Sequence, residues 1–193
     1  HGISLRMDLT VAANDDVEIR RLTLINNTQD VRRLTITTYA EVVLTTPDGD
    51  QRHPAFSKLF IHSELAESMN ALIFERRSRE PQEKPPALMH RLLCDSHSVK
   101  LNSIETDRTH FIGRNGSSQN PQGISDGLSK TLGWTLDPIM SLQATVELSA
   151  FATEKLAFVT IASSSRRSLF ETAHCYEALS SIDFIFHDAL YKS

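Results

Sequence analysis

The chain has 193 residues, of which 40% are hydrophobic and 23% charged, and its formal net charge is −4. That length suits one domain, or one domain with a short appendage, and supplies enough apolar material for a sizeable core. The negative balance argues against a general nucleic-acid surface, which needs a basic patch, and no apolar run of about 18 residues is present to span a bilayer.

Ile3, Leu5, Met7, Leu9 and Val11 alternate with Ser4, Arg6, Asp8 and Thr10, the period of a half-buried strand. A turn at 13–16 leads into a second strand, Val17 to Ile25, and a turn at 26–30 into a third. Three strands joined by short polar turns predict an antiparallel meander. The third is the longest: from Val31, Leu34, Ile36, Ala40, Val42 and Leu44 fall on one face, with Arg33, Thr35, Thr37 and Glu41 on the other. Pro47-Asp48-Gly49 has turn chemistry and should end it.

An irregular, aromatic-bearing segment follows, His53 to Phe60 (HPAFSKLF). Ala71 to Arg77 reads as a strand, residues 77–86 as a charged, proline-rich surface loop, and Leu88 to Cys94 and Ser98 to Ile104 as weaker strands. Residues 113–133 are polar and glycine-rich, and loops of that length are usually functional or mobile. Met140 to Leu148 alternates cleanly, whereas Lys155 to Ile161 is apolar on both faces and should be central. Beyond Ser163 the period becomes helical. Leu169, Phe170, Ala173 and Tyr176 form one stripe behind a Ser168/Glu171 capping box, and a second helix begins near Ser181. Two packed sheets are the natural way to bury so many alternating strands. The expected fold is a mainly β, large antiparallel sandwich over residues 1–164, with C-terminal helices over 165–193. The first residue is His and the last residues read as helix, so the sequence is expected to be a piece of a longer protein without a signal peptide.

Several strings occur in a telling order: HGISLRMDLTVAANDDVEIRRLTLINNT, LTITTYAEVVL, HPAFSKLF, ETDRTHFIGR and LDPIMSLQATVEL. Together they resemble the β-sandwich domain of the glycoside phosphorylase family that contains cellobiose and chitobiose phosphorylases. Within it they look most like the phosphorylase-like region of cyclic β-1,2-glucan synthases. The resemblance implies a galactose mutarotase-like super-sandwich, with the 165–193 helices as a linker to an absent (α/α)6 barrel that carries the chemistry. It implies no catalytic residue, metal or cofactor in this piece. The implied partners are that barrel in the same parent chain, a β-glucan, and a second copy in a homodimer. The parent would be a bacterial enzyme anchored in the inner membrane, with this domain on the cytoplasmic side.

Candidate contacts follow. His53 and Lys58 sit among Phe56 and Phe60, the mixture of ring and polar group that suits a sugar. The plainer reading makes the two phenylalanines core residues at a crossover between sheets. By resemblance, Arg108, Arg114, Asn115 and Gln119 are candidates for a lip beside the barrel's active site. The plainer reading there is an internal Asp107–Arg108 or Glu105–Arg108 pair and a solvated loop. His90, Cys94 and His97 do not suit zinc, because His90 and Cys94 on one strand stand roughly 13 Å apart. Cys94 and Cys175 define no disulfide framework. His53, His62 and Glu64 could be arranged as a mutarotase-type proton relay, but nothing in their spacing demands it. Trp134, the lone tryptophan, is expected to plug the core. The expected function is a non-catalytic domain supporting a glucan-processing barrel. The alternatives are an independent carbohydrate-binding module and a mutarotase-like epimerase.

Overall fold

The alternation at the N-terminus folds as a hairpin. β1 (Ile3–Val11) and β2 (Val17–Asn26) pair antiparallel from Ile3↔Asn26 to Val11↔Glu18. The structure is a computed structural model that describes residues 2–78 and 82–192, with the backbone alone for 188–192. Residues 79–81 of the charged loop expected at 77–86 therefore lie outside the described residues.

The three-strand meander does not form. β2 takes as its second neighbour β11 (Thr153–Ser163), and β3 (Arg32–Thr37) crosses to another sheet. Asn26 directs that crossing. Its buried carboxamide donates to the Asp30 and Ser149 carbonyls, each at 2.8 Å, and accepts from Thr28 N–H at 3.0 Å. A side chain that satisfies the turn's backbone from inside fixes where the chain leaves the sheet.

The long third strand is broken as well. β3 and β4 (Ala40–Glu41) lie along one edge of β10 (Pro138–Leu148), interrupted at Thr38-Tyr39. There the Thr38 hydroxyl, rather than a carbonyl, accepts the Leu142 N–H at 2.9 Å. The side-chain alternation nonetheless holds, since Leu34, Ile36, Val42 and Leu44 all reach the same core. Pro47-Asp48-Gly49 opens a helix instead of a turn, α1 (Pro47–Arg52). Thr46 caps it by accepting Gly49 N–H, proline takes the first position, and Asp48 and Asp50 sit in the first turn. The HPAFSKLF segment forms α2 (Pro54–Lys58).

β5 (Ile61–Ala66), β6 (Ala71–Arg76) and β7 (Ala87–Leu93) follow, then β8 (Val99–Asp107), α3 (Arg108–Ile112), α4 (Gln122–Asp126) and β9 (Gly133–Trp134). One sheet has seven strands in the order β1-β2-β11-β7-β6-β5-β9. The other is narrower, with β10 central, β3 and β4 on one side and β8 on the other. All the pairings among these strands are antiparallel.

Helices add a third layer. α5 (Arg166–Cys175) and α6 (Leu179–Lys192) bury Leu169, Ala173, Tyr176, Leu179 and Ile182 against the outer face of the wide sheet. This explains β11, which is apolar on both sides. Leu156 and Phe158 enter the core between the sheets, and Ala157, Val159 and Ile161 lie beneath the helices. The cap of α5 is Ser165, whose hydroxyl accepts Ser168 N–H, so the Ser168/Glu171 box is displaced by one turn. Glu171 pairs instead with Arg167 at 2.9 Å.

One expected burial fails. Leu5, Met7, Leu9 and Val11 are 59–63% exposed, because they project from the inner face of the wide sheet where the narrow sheet does not reach.

Candidate functional site

The edge pairing of β4 with β10 and the start of α3 bring two of the expected residues, Lys58 and Arg108, to one rim of the narrow sheet. Glu41 lies opposite Ile139, and Asp107 opposite Pro138, so Glu41, Arg108 and Asp137 converge. Lys58 reaches in from the end of α2. Its Nζ lies 2.6 Å from Asp137 Oδ1 and 3.3 Å from Glu41 Oε2. Arg108 Nε lies 3.3 Å from Glu41 Oε1 and donates to the Tyr39 hydroxyl at 3.2 Å, while its Nη1 is 3.7 Å from Asp137 Oδ2. The Tyr39 ring stacks on the buried Phe111 at 4.9 Å.

Two cations and two carboxylates thus cancel, and each carboxylate is spent on both cations. Partial burial works against the charge on Lys58. Its bonds to Asp137 and Glu41 outweigh that penalty and hold its pKa above the ordinary lysine range. The pairs Asp107–Arg108 and Glu105–Arg108 do not form. Asp107 caps α3 by accepting Thr109 N–H at 2.7 Å. Glu105, fully buried, accepts the N–H groups of Thr106, Asp107 and Ser129 at 2.9, 2.9 and 3.0 Å. The Arg108 side chain is 40% exposed, and among the described residues its hydrogen bond goes from Nε to Tyr39, which leaves guanidinium donors for a hydroxyl-bearing ligand.

Arg114, Asn115 and Gln119 are not part of this cluster. They are exposed on the segment after α3, and no hydrogen bond or ion pair ties them to Lys58 or Arg108 among the described residues. The long loop itself is pinned in its second half. Ser103 donates to the Leu128 carbonyl, Thr106 to the Thr131 carbonyl, and Lys130 N–H to the Ile104 carbonyl. Leu128 joins Phe111 and Ile139 in a small core of its own. His53 is exposed at the junction of α1 and α2.

Trp134 departs from expectation. It is 58% exposed on β9, at the edge of the wide sheet, with its ring edge-on to His62 at 5.1 Å. Period two sets Leu132, Trp134 and Leu136 on one face of LGWTLD, and the structure turns that apolar face outward while Thr135 is buried. Phe56 likewise stands 49% exposed, edge-on to Phe60 at 5.2 Å, because α2 buries only Ser57. Glu64 is committed to Arg166, and no hydrogen bond joins it to His53 or His62 among the described residues.

His90 serves the fold. Its Nε2 meets the Thr38 hydroxyl across the sandwich at 3.0 Å, its Nδ1 meets Thr160 at 2.9 Å, and its ring lies parallel to Phe158. Complete burial, with Arg20 adding, depresses its pKa to about 3. Cys94 and Cys175 are free thiols. No trio of His, Cys, Asp or Glu is grouped for a metal among the described residues, and no helix among them is long and apolar enough to cross a membrane.

Two antiparallel sheets of unequal width, with helices laid on the wider one, place the chain in the supersandwich class of domains. Residues 1–178 match the family described as glycosyl hydrolase 94, supersandwich domain, and the chain belongs to that family. The cyclic beta-(1,2)-glucan synthase NdvB of Rhizobium meliloti (strain 1021) is 32% identical over 169 residues, which is 86% of this chain and 6% of that protein. The chain therefore spans a small part of the relative it matches. The mainly antiparallel architecture and the family resemblance read from the residue strings both hold.

Proposed function

We propose that this supersandwich domain is the non-catalytic partner of a glucan-processing barrel, in a parent enzyme resembling a cyclic β-1,2-glucan synthase or a glycoside phosphorylase. The observation that carries the reading is the family match over residues 1–178, joined to similarity with a protein named for β-(1,2)-glucan synthesis. Residues 165–193 lead toward an (α/α)6 barrel in the same chain. Arg108, with Lys58 positioned beside it, and the loop residues Arg114, Asn115 and Gln119 form a lip that meets glucan at the barrel's entrance, with His53 flanking it. A second copy of the chain completes a homodimer. The parent is anchored in a bacterial inner membrane, with this domain on the cytoplasmic side.

The neutral rim supports a contact role. Glu41 and Asp137 are each held by two cations, so neither is poised as a general acid or base. The chain alone is expected to turn over no sugar and to give little heat with linear β-1,2-glucan in a calorimeter. In the parent enzyme, Arg108→Ala is expected to raise KM for glucan while leaving kcat nearly unchanged, the pattern of lost uniform binding. Sugar turnover by the 193-residue chain would overturn the proposal.

A carbohydrate-binding module is the second reading, and Trp134 favours it. An exposed indole at a sheet edge, flanked by a histidine, is a surface on which a pyranose face stacks. Saturable heat from linear β-1,2-glucan, abolished by Trp134→Ala, would establish it.

A further inference from the structure

The outer face of the narrow sheet is dry at one end of β10 and wet at the other. Ile139 packs there with Phe111 and Leu128, and Ser141 and Gln143 on the same face are buried. Further along, Thr145 is half-buried and Glu147 exposed. Register sets Lys100 and Thr35 on either side of Thr145, and Arg33 opposite Glu147. A cavity of about 400 Å³ lies on this open half, lined by Arg33, Lys100, Asn102, Thr145 and Glu147. A second, of about 290 Å³, includes Glu67, Asn70 and Lys130, and Leu101 and Asn102 line both.

Where the cavities meet, the register of β8 slips. Ser103 faces Gln143 and Leu101 faces Ala144, so Asn102 is the extra residue of a bulge. Asn102 donates to Gln143 at 3.3 Å, and Gln143 donates to Thr37 at 3.3 Å. That row holds the Asn102 carboxamide in place while its carbonyl oxygen accepts no bond among the described residues. Lys130 adds a strained element, a non-glycine residue at φ 59° whose N–H donates to the Ile104 carbonyl at 3.1 Å. We infer that this groove binds a neutral glycan, a short stretch of linear β-glucan laid across β3, β10 and β8.

Three features carry this. The side chains are uncommitted: Arg33, Lys100, Thr145 and Glu147 make no side-chain hydrogen bond or ion pair among the described residues, although Arg33 stands opposite Glu147. At the rim of Lys58 and Arg108, by contrast, the charges already hold one another. The signs are interleaved, with Glu147 among Arg33 and Lys100, and Glu67 in the cavity of Lys130. A polyanion would meet those carboxylates, whereas each sugar hydroxyl can donate to a carboxylate and accept from a cation or an amide. The size also fits, since the two cavities together fall within the roughly 300–1,000 Å³ of small-molecule sites. The span from β3 to β8 alone is about 10 Å by strand spacing, longer than one sugar ring. Ile139, beside the Lys58–Arg108 cluster, and Thr145 stand about 20 Å apart at strand rise, so the groove is a surface separate from the lip.

The groove rests on this geometry, and the choice of a β-glucan among neutral glycans rests on the proposed parent enzyme. No aromatic ring lines either cavity, so binding depends on hydrogen bonds exchanged with water and stays weak, in the millimolar range, with little heat. Amide shifts of the isotope-labelled chain, titrated with a short linear β-1,2-glucan, read such binding. Saturable shifts are expected at Lys100, Asn102, Thr145, Glu147 and Lys130. Lys100→Ala joined to Glu147→Ala, two exposed positions, should weaken the binding roughly tenfold or more while keeping the circular dichroism of the parent. Asn102→Asp, which keeps the shape and adds a charge, should weaken it as well. Shifts centred on Trp134 or on Arg108, the same amides moved by inorganic phosphate and not by glucan, or no saturable shift at all would each overturn the groove. Any of these leaves the supporting-domain reading standing, and sugar turnover by the chain would overturn that reading without touching the groove.

Discussion

The polar groups of this domain fall into two regions, one at the centre of the sandwich and one at its rim, and they are spent differently. His90 and Glu105 are buried, and their bonds all go to the chain itself. His90 ties the wide sheet to the break between β3 and β4. Glu105 fastens the end of β8 to the far half of the long loop. At the rim, Lys58, Arg108, Glu41 and Asp137 hold one another in place, yet Arg108 still faces solvent, as does Trp134 at the edge of the wide sheet. Burial turns a polar side chain into a determinant of register, since an unmet bond there is costly. Partial exposure leaves one available for recognition.

If that division is right, the largest effects belong to the centre. Glu105→Ala strips the acceptor from three backbone N–H groups in a dry site and is expected to cost about 3–5 kcal/mol in urea unfolding. Glu105→Gln should lose less, because a carboxamide oxygen still accepts. A change within about 0.5 kcal/mol for the alanine variant would show that water replaces the carboxylate, and the contrast with the rim would collapse.

His90 gives the contrast a pH signature. Its folded pKa, near 3, lies below the value near 6.5 that it has when exposed, so the unfolded chain binds the proton first. Stability is therefore complete above about pH 6.5 and declines as pH falls toward 3, by at most about 1.4 kcal/mol per pH unit. Between pH 7 and 5 the loss from this group is about 2 kcal/mol. A variant with an apolar side chain of similar size at 90 should show a flatter acid limb, even if it is less stable at neutral pH. An equal slope in both proteins would assign the acid sensitivity to other groups.

How far these regions were legible in the sequence depends on whether one strand's own pattern carries the information. Period two identified β1, β2 and β10, and the two-sided apolar character of β11 placed it centrally before any neighbour was known. The break at Thr38 was not visible, because it depends on His90, which lies 52 residues further along the chain. The same holds for the meander. Asn26 sends the chain across the sandwich through Ser149, a partner no local window contains. Of the named site residues, Lys58 and Arg108 do come together, but the carboxylates that join them, Glu41 and Asp137, were not anticipated. Their meeting follows from strand register at β10 rather than from spacing. Trp134 was misplaced for a different reason: Leu132, Trp134 and Leu136 alternate as a core-facing strand would, and the structure turns that face to solvent.

At the rim, effects should be smaller. Lys58→Ala removes the bridge between α2 and the narrow sheet, at a site where its carboxylate partners are partly solvated. The expected cost is about 1 kcal/mol, shrinking further in high salt as exposed charges are screened. A loss several times larger would move this cluster from the recognition region into the structural one.

Trp134 should matter least to folding and most to the choice between readings. Its ring has one described aromatic neighbour, His62, across the β5–β9 pairing, and a single cross-strand pair of this kind contributes roughly 0.5 kcal/mol. Trp134→Ala is thus expected to leave the unfolding midpoint nearly unchanged. That near-silence makes the variant a clean probe, since any change in glucan heat cannot be charged to a damaged fold. With the supporting-domain proposal, wild type and variant give the same small heat. Saturable binding by wild type that disappears in an equally stable Trp134→Ala protein would instead make the sheet edge a stacking platform in its own right, and the indole the residue that defines it.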